Sequence, residues 1–260
     1  MSTYDIKGKY AIITGAGSGI CLAFAVQLLE GGCSVMIADV KLRPEAEALV
    51  TKYASKDATT PSVDFHKTDI SDWGQIASLW KKTLETFGRV DIVVNGAGVY
   101  EPPSSTFWNA PGISPLAEDE ANASPGVYHT FSAAIASFVR SLGQLRKRLG
   151  IRNAAVCPGA VYTPIFHPEY CRDRVHPDNL TLTPEQCASV MMSVLKEPQY
   201  GDGNIIETLL IGSKDNSSVN VREVPLEALY PTVGPVGQDN HLLEEEEKLT
   251  KQLQEKGMRQ

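Results

Sequence analysis

The sequence predicts an α/β chain, a doubly wound parallel sheet in one domain, and three observations support that prediction. Short apolar runs with strand character alternate with stretches of helical periodicity, the pattern of a parallel sheet covered by helices on both faces. The first run, Tyr10-Ala11-Ile12-Ile13, leads through Thr14-Gly15-Ala16-Gly17-Ser18-Gly19 into an apolar stretch from Ile20 to Leu29, which ends at Gly31-Gly32. At 260 residues the chain is long enough for a single domain of this class with a sizeable core.

The remaining elements follow in order. Ser34 to Ala38 reads as the second strand, closed by Asp39. A helix is predicted from about Pro44 to Lys56, then a short strand from Val63 to His66. Ser71 can cap the next helix, in which Ile76, Leu79, Trp80, Thr83, Leu84 and Phe87 recur at helical spacing before Gly88 ends it. Asp91 to Asn95 reads as a fully buried strand, and Gly96-Ala97-Gly98 lets the backbone turn tightly beside a ligand. One long helix is predicted from Tyr128 to Leu149, ending at Gly150, with Phe131, Ile135, Phe138, Val139 and Leu142 as its inner stripe. Ala154 to Cys157 is another short strand, Thr183-Pro184-Glu185 opens a late helix, and Asn204 to Ile211 is the last strand. From Ser213 the composition turns polar. The chain therefore divides into a domain over 1–212 and an extension over 213–260, whose acidic run Glu244 to Glu247 reads as the solvated face of a terminal helix.

The turn after the first strand points to a ligand. A buried strand, a glycine-rich turn and a helix let backbone N–H groups close on a pyrophosphate at the helix N-terminus. Asp39 stands 20 residues after Gly19, where a carboxylate accepts hydrogen bonds from an adenosine ribose. Together they predict a dinucleotide site. A net charge of −7 argues against nucleic acid and anionic membrane as partners. No stretch has the pattern of an export signal or a membrane span, so a cytoplasmic protein is expected. The five cysteines, Cys21, Cys33, Cys157, Cys171 and Cys187, are odd in number and lack metal or redox spacing, as suits inert thiols in a reducing compartment.

Taken together, these residues resemble the short-chain dehydrogenase/reductase family over almost the whole chain up to about Gly212. Thr14-Gly15-(x)3-Gly19-Ile20 matches its cofactor turn, and Asp39 the acidic residue that favours NAD over NADP. Asp69-Ile70 matches its adenine-contacting pair. Asn95-Gly96-Ala97-Gly98 resembles its Asn-Asn-Ala-Gly motif, and Cys157-Pro158-Gly159 with Val161-Tyr162-Thr163-Pro164 resembles the segment that contacts nicotinamide. Finer details resemble its fungal 15-hydroxyprostaglandin dehydrogenase-like members. The resemblance implies a Rossmann-like fold and NAD as cofactor, with NADP disfavoured. It assigns cofactor contacts to Thr14, Gly15, Gly17, Ser18, Gly19, Ile20, Asp39, Asp69, Ile70, Asn95, Ala97, Gly98, Tyr128, Pro158, Gly159, Val161 and Thr163. Tyr128 is the implied catalytic residue, the substrate is a small carbonyl compound or alcohol, and a homo-oligomer is possible.

The catalytic half departs from that pattern. The family places a tyrosine and a lysine four residues apart on the long helix, one turn from each other. Here Ser132 stands at the lysine position. The family also has a helix and a central strand, bearing a catalytic serine, before that tyrosine. Residues 99–127 hold five prolines and no β-branched run, so this helix–strand unit is expected to be missing. The long helix would then cross directly from the strand at 91–95 to the strand near 154–157 with the usual right hand. Loss of a contiguous coding block and gradual divergence both account for the gap. Smaller departures are Cys21 for the usual glycine, Gly96 for the second asparagine and Ala154 for an asparagine.

Losing the lysine has a calculable cost. A tyrosine titrates near 10, so at pH 7 only about one in a thousand is ionised. A neighbouring ammonium that shifts it by about two units contributes roughly 2.7 kcal/mol. Alcohol oxidation needs tyrosinate and suffers most; carbonyl reduction needs the neutral phenol, which an unperturbed side chain supplies. Two functions stay open: hydride transfer with Tyr128 as proton donor, or a degenerate member that binds dinucleotide for regulation or non-redox chemistry. Other constellations are weaker. Ser124 beside Pro125 and Gly126 reads as a loop or N-cap residue rather than a substitute serine. His167, Cys171 and His176 lack a fourth ligand, so no metal is expected. Glu101-Pro102-Pro103 and Phe107-Trp108 read as a surface loop that could line a substrate pocket.

Overall fold

The computed structural model describes residues 3–54, 60–100, 127–168, 172, 175–225 and positions 248, 251, 252 and 255, leaving the side chains of 127–133 outside the description. In chain order the elements are β1 (Tyr10–Thr14), α1 (Gly19–Glu30), β2 (Ser34–Asp39), α2 (Pro44–Lys52), β3 (Val63–Lys67), α3 (Trp73–Phe87) and β4 (Ile92–Asn95). They continue with α4 (Val127–Ser141), α5 (Leu145–Leu149), β5 (Asn153–Pro158), a 3-10 turn (Pro164–Phe166), α6 (Pro184–Lys196), β6 (Asp202–Ser213) and β7 (Asn216–Glu223).

The first half is doubly wound because its strands are apolar on both faces. β3, β2, β1 and β4 lie side by side in that order, all parallel. Along β1 and β2, Ala11, Ile13, Val35 and Ile37 enter a core closed by Phe24, Ala25, Leu28 and Leu29 of α1, Ala46 and Leu49 of α2 and Ala188 of α6. The alternate residues Ile12, Met36 and Ala38 face Leu79 of α3 with Phe87 and Val90. This two-sided burial follows from the period-2 geometry of the strand.

Local signals set several boundaries. Thr183 and Gln186 form a reciprocal capping box, and Pro184 occupies the first turn of α6. At α3 the expected cap is corrected. Asp72, not Ser71, is the N-cap and accepts from Gly74 N–H at 2.8 Å and Gln75 N–H at 3.2 Å. The Gln75 side chain and these backbone bonds hold the Asp72 carboxyl below its ordinary range, while Ser71 donates to Asp69. The helix expected to reach Lys56 ends at Lys52.

The helix predicted from Tyr128 to Leu149 is two helices. It breaks at 142–144 because the chain meets the start of β6 there: a Cβ on Gly143 would lie 2.5 Å from Asp202 O, and one on Gly203 would lie 2.9 Å from Arg140 O. Two glycines let helix and strand approach where any side chain would hold them apart.

The sheet itself is divided. β5, β6 and β7 form a separate ladder in which β5 and β6 are parallel and β7 is antiparallel. The direct crossover from β4 to β5 within one sheet is therefore corrected, and so is the reading of 204–211 as the last strand, since β7 follows it through a turn at Lys214-Asp215. Among the described residues, nothing pairs with β4 on the side away from β1, or with β5 on the side away from β6. The burial pattern records the same break. Val93, expected in a fully buried strand, is 53% exposed, and Ile135 and Phe138 of the expected inner stripe are 59% and 63% exposed. Val139 and Leu142 are half-buried, and Phe131 lies among the side chains outside the description. Residues 101–126, with Ser124, Glu101-Pro102-Pro103 and Phe107-Trp108, and the acidic run 244–247 also lie outside it.

The two ladders are joined across α1 and α6. Ala188 packs into the core of the first half, and Gln27 Nε2 donates to Glu185 O at 3.2 Å and Ser189 Oγ at 3.1 Å. At the far end Tyr4 N–H donates to Lys196 O at 2.8 Å. Three cysteines are buried in this region. Burial pushes the Cys21 and Cys33 thiols up to about 12 and Cys187 up to about 11. A thiol whose folded pKa is raised stabilises the fold fully below its unfolded pKa near 8.5, and that contribution is lost as pH rises through the folded value. Stability is therefore expected to fall between about pH 9 and 12, by up to about 1.4 kcal/mol per pH unit for each thiol. Denaturant midpoints across that range, compared with those of Cys187→Ala, check this; a flat profile would contradict it.

Candidate functional site

The site lies where the C-terminal ends of β1, β2 and β4 meet the N-terminus of α1. Gly15 and Gly19 hold φ of 75° and 61°, which glycine adopts without strain. A Cβ on Gly15 would lie 2.7 Å from Ala97 Cα and 2.8 Å from Gly96 O, so the turn after β4 lies flush against the turn after β1. Thr14 fastens the two together. Its hydroxyl accepts from Gly96 N–H at 3.1 Å and Ala97 N–H at 3.2 Å, and donates to Val94 O at 3.3 Å.

Asp39 at the end of β2 is oriented by backbone donors. One carboxylate oxygen accepts from Gly17 N–H at 2.8 Å and the other from Lys41 N–H at 3.2 Å. A Cβ on Gly17 would lie 2.8 Å from that carboxylate, so glycine there is what lets Asp39 reach the turn. Each oxygen keeps further acceptor capacity for ligand hydroxyls. Ser18 is the N-cap of α1 in extended backbone and makes no side-chain capping bond, and Ile20 lies in the first turn of the helix.

The second ladder contributes from the other side. Thr163, 9% exposed, brings its methyl within 3.3 Å of where a Cβ on Gly19 would sit. Val161 is buried and bridges to Leu182. Gly159 donates its N–H to Thr208 O at 2.8 Å, and a Cβ there would lie 2.7 Å from Leu209 Cδ2, so Pro158-Gly159 lies tight along β6. The structure thus gathers Thr14, Gly15, Gly17, Gly19, Asp39, Ala97 and Thr163 around one turn. Asn95 and Gly98 are exposed beside it.

Asp69 and Ile70 are exposed after β3. The Asp69 carboxylate accepts from Ser71 N–H at 2.9 Å and Ser71 Oγ–H at 2.7 Å, which hold its carboxyl below the ordinary range. Tyr128 and Ser132 stand one turn apart on α4, with side chains outside the description. His167 packs its ring 5.9 Å from that of Tyr162, while Cys171 lies outside the description. Among the described residues no group of three or more His, Cys, Asp or Glu side chains could hold a metal ion. No helix among them is long and apolar enough to cross a membrane.

One contact was not legible in the sequence. Tyr100, after β4, meets Phe166, after β5, edge to face with ring centroids 4.9 Å apart. The available signal was position: both follow the C-terminal end of a strand, where ligands bind in open α/β sheets.

The family model for short chain dehydrogenase matches residues 9–110. The chain is 25% identical over 263 residues to levodione reductase of Leifsonia aquatica, an alignment covering 86% of this chain and 95% of that protein. It is 29% identical over 198 residues to 15-hydroxyprostaglandin dehydrogenase (NAD(+)) of Bos taurus, covering 62% of this chain and 71% of that one. Among solved structures it is similar to a 3-ketoacyl-(acyl-carrier-protein) reductase from Brucella melitensis complexed with NADH, with a TM-score of 0.58 at 22% identity over 78% of this chain and 97% of that one. A hydroxysteroid dehydrogenase from Escherichia coli matches with a TM-score of 0.59 at 21% identity, over 78% and 96% of the two chains. At these identities the structural likenesses establish the Rossmann-like fold.

Proposed function

This chain belongs to the short-chain dehydrogenase/reductase family, and from that membership we propose that it binds NAD(H) and reduces the carbonyl of a small metabolite. The observation that carries the reading is the Asp39 carboxylate held by Gly17 N–H over the glycine turn. The fit to a dinucleotide rests on the same geometry. Gly15 and Gly17 let the turns after β4 and β2 close against the glycine turn, which sets Asp39 beside it, and the α1 N-terminus offers partial positive charge to a pyrophosphate. Thr14, Gly15, Gly17, Ser18, Gly19 and Ile20 would hold the pyrophosphate end, and Asp39 the ribose hydroxyls. Asp69 and Ile70 would hold the adenine, while Asn95, Ala97, Gly98, Pro158, Gly159, Val161 and Thr163 would hold the nicotinamide half. When bound, the nicotinamide supplies or accepts the hydride.

Tyr128 would then give a proton to the carbonyl oxygen as its charge develops. Neutral tyrosine is the dominant form at pH 7, so reduction needs no neighbouring ammonium. Oxidation needs tyrosinate, and Ser132 cannot favour it as a lysine would. A second reading is favoured by one specific observation: among the described residues nothing pairs with β4 on the side away from β1 or with β5 on the side away from β6. A chain so altered could bind dinucleotide for regulation or non-redox chemistry. The extension proposed from 213 onward does not enter either reading.

Rates in both directions on a panel of carbonyl and alcohol substrates separate the two. Tyr128→Phe is expected to lower reduction about 100-fold. Ser132→Lys is expected to raise oxidation at neutral pH by about tenfold or more, with a smaller effect on reduction and a gain that fades toward pH 10. Unchanged turnover in Tyr128→Phe would remove Tyr128 from the mechanism. NADH binding without turnover in any variant would favour the second reading.

A further inference from the structure

Two departures from the family pattern meet in space. Gly96 stands where the motif has its second asparagine, and Cys21 where the turn-to-helix motif has glycine. The backbone at Gly96 has no positive φ, so its conformation does not call for glycine. Its surroundings do. A Cβ on Gly96 would come closer to Cys21 Sγ than the 3.0 Å below which real Cβ atoms essentially never approach, and would lie 3.1 Å from Thr14 O. Cys21, 8% exposed in the first turn of α1, therefore fills the volume that a side chain at 96 would need.

That volume adjoins the coenzyme turn. The N–H groups of Gly96 and Ala97 are the ones that Thr14 Oγ1 accepts, and Ala97 is the residue against which Gly15 is pressed. Moving Gly96 outward would open both contacts at once. The thiol is suited to this inert role: burial, with the neighbouring Cys187 and Asp39, pushes it up to about 12, so it stays protonated.

We infer that Cys21 and Gly96 are a reciprocal pair, in which the side chain has moved from the turn after β4 to helix α1, and that Cys21 is a positioning residue setting the 95–97 turn against the glycine turn that holds NAD(H). The part of this inference concerning NAD(H) rests on the proposed function; the steric pairing does not. It also explains why two motif positions can depart from the family without dismantling the site: the side chain gained at 21 takes the space given up at 96.

A double-mutant cycle tests it with NADH titration and thermal midpoints on the full chain. Gly96→Asn is expected to weaken NADH binding about 30-fold and Cys21→Gly about threefold, while Cys21→Gly/Gly96→Asn returns to within about threefold of the wild type. Normal binding by Gly96→Asn, or a double variant no better than Gly96→Asn, would overturn the pairing. If Gly96→Asn does not fold, recovery of folded protein in the double variant supports the pairing, and its absence overturns it. Leu49→Ala, in the core under α2, serves as a control that lowers the midpoint far from the turn. If it weakens NADH binding as much as Gly96→Asn at a matched midpoint, the positioning role is overturned. If none of the proteins binds NADH, the proposed function fails with the positioning role, while the midpoints still decide the pairing.

Discussion

Asp39→Ala is expected to weaken NADH binding by about 100-fold and to narrow or reverse the preference over NADPH. Two effects add. The ribose hydroxyls lose a charged acceptor, and a charge-assisted hydrogen bond is worth about 1.5–3 kcal/mol. Gly17 N–H and Lys41 N–H also lose the carboxylate that holds them, so the glycine turn loses its tie to β2. Binding of NADPH loses less, because the same substitution removes repulsion of a 2′-phosphate. Fluorescence titration with both dinucleotides measures the ratio. An unchanged NADH affinity would show that Asp39 does not face the ribose.

The second large effect is on stability. Gly15→Ala and Gly8→Ala both place alanine at positive φ, 75° and 70° respectively. They differ in surroundings. Nothing lies within 4 Å of a Cβ on Gly8, whereas one on Gly15 would lie 2.7 Å from Ala97 Cα. Gly8→Ala should therefore cost about 1 kcal/mol of backbone strain. Gly15→Ala should cost that and roughly a further 1–3 kcal/mol of overpacking, because the atoms it meets are backbone and cannot rotate away. Denaturant unfolding of both variants isolates the contact by difference. Equal losses would mean that the turns after β1 and β4 are not pressed together.

The first half of the fold was legible because its determinants are local. Gly15 and Gly19 are needed for their own dihedrals, and Asp39 closes a strand whose register follows from its apolar run. Thr183, Pro184 and Glu185 announced α6 in the same way, and the capping box that the structure adds through Gln186 also involves neighbours in sequence. Boundaries set by contacts distant in sequence were not legible. The break between α4 and α5 falls where Gly143 meets the start of β6 at Asp202 and Gly203; Gly143 stands in the run from Tyr128 to Leu149, but the strand it meets is far along the chain. In the other half, the proline-rich 99–127 segment and Ser132 four residues after Tyr128 stand in the sequence itself, and residues 101–126 lie outside the described structure.

By itself, then, the sequence determined the order of strands and helices in the first half, the glycine turn and the acidic residue at the end of β2. Periodicity and dihedral preference act over a few residues and need no partner. Only the tertiary structure decided that the strands form two ladders, that β7 extends the second, that Val93, Ile135 and Phe138 stand exposed, and that Cys21 occupies the space left by Gly96. Strand pairing and burial depend on what arrives on the other side of an edge or a face, and that neighbour is supplied by the fold rather than by the adjoining residues.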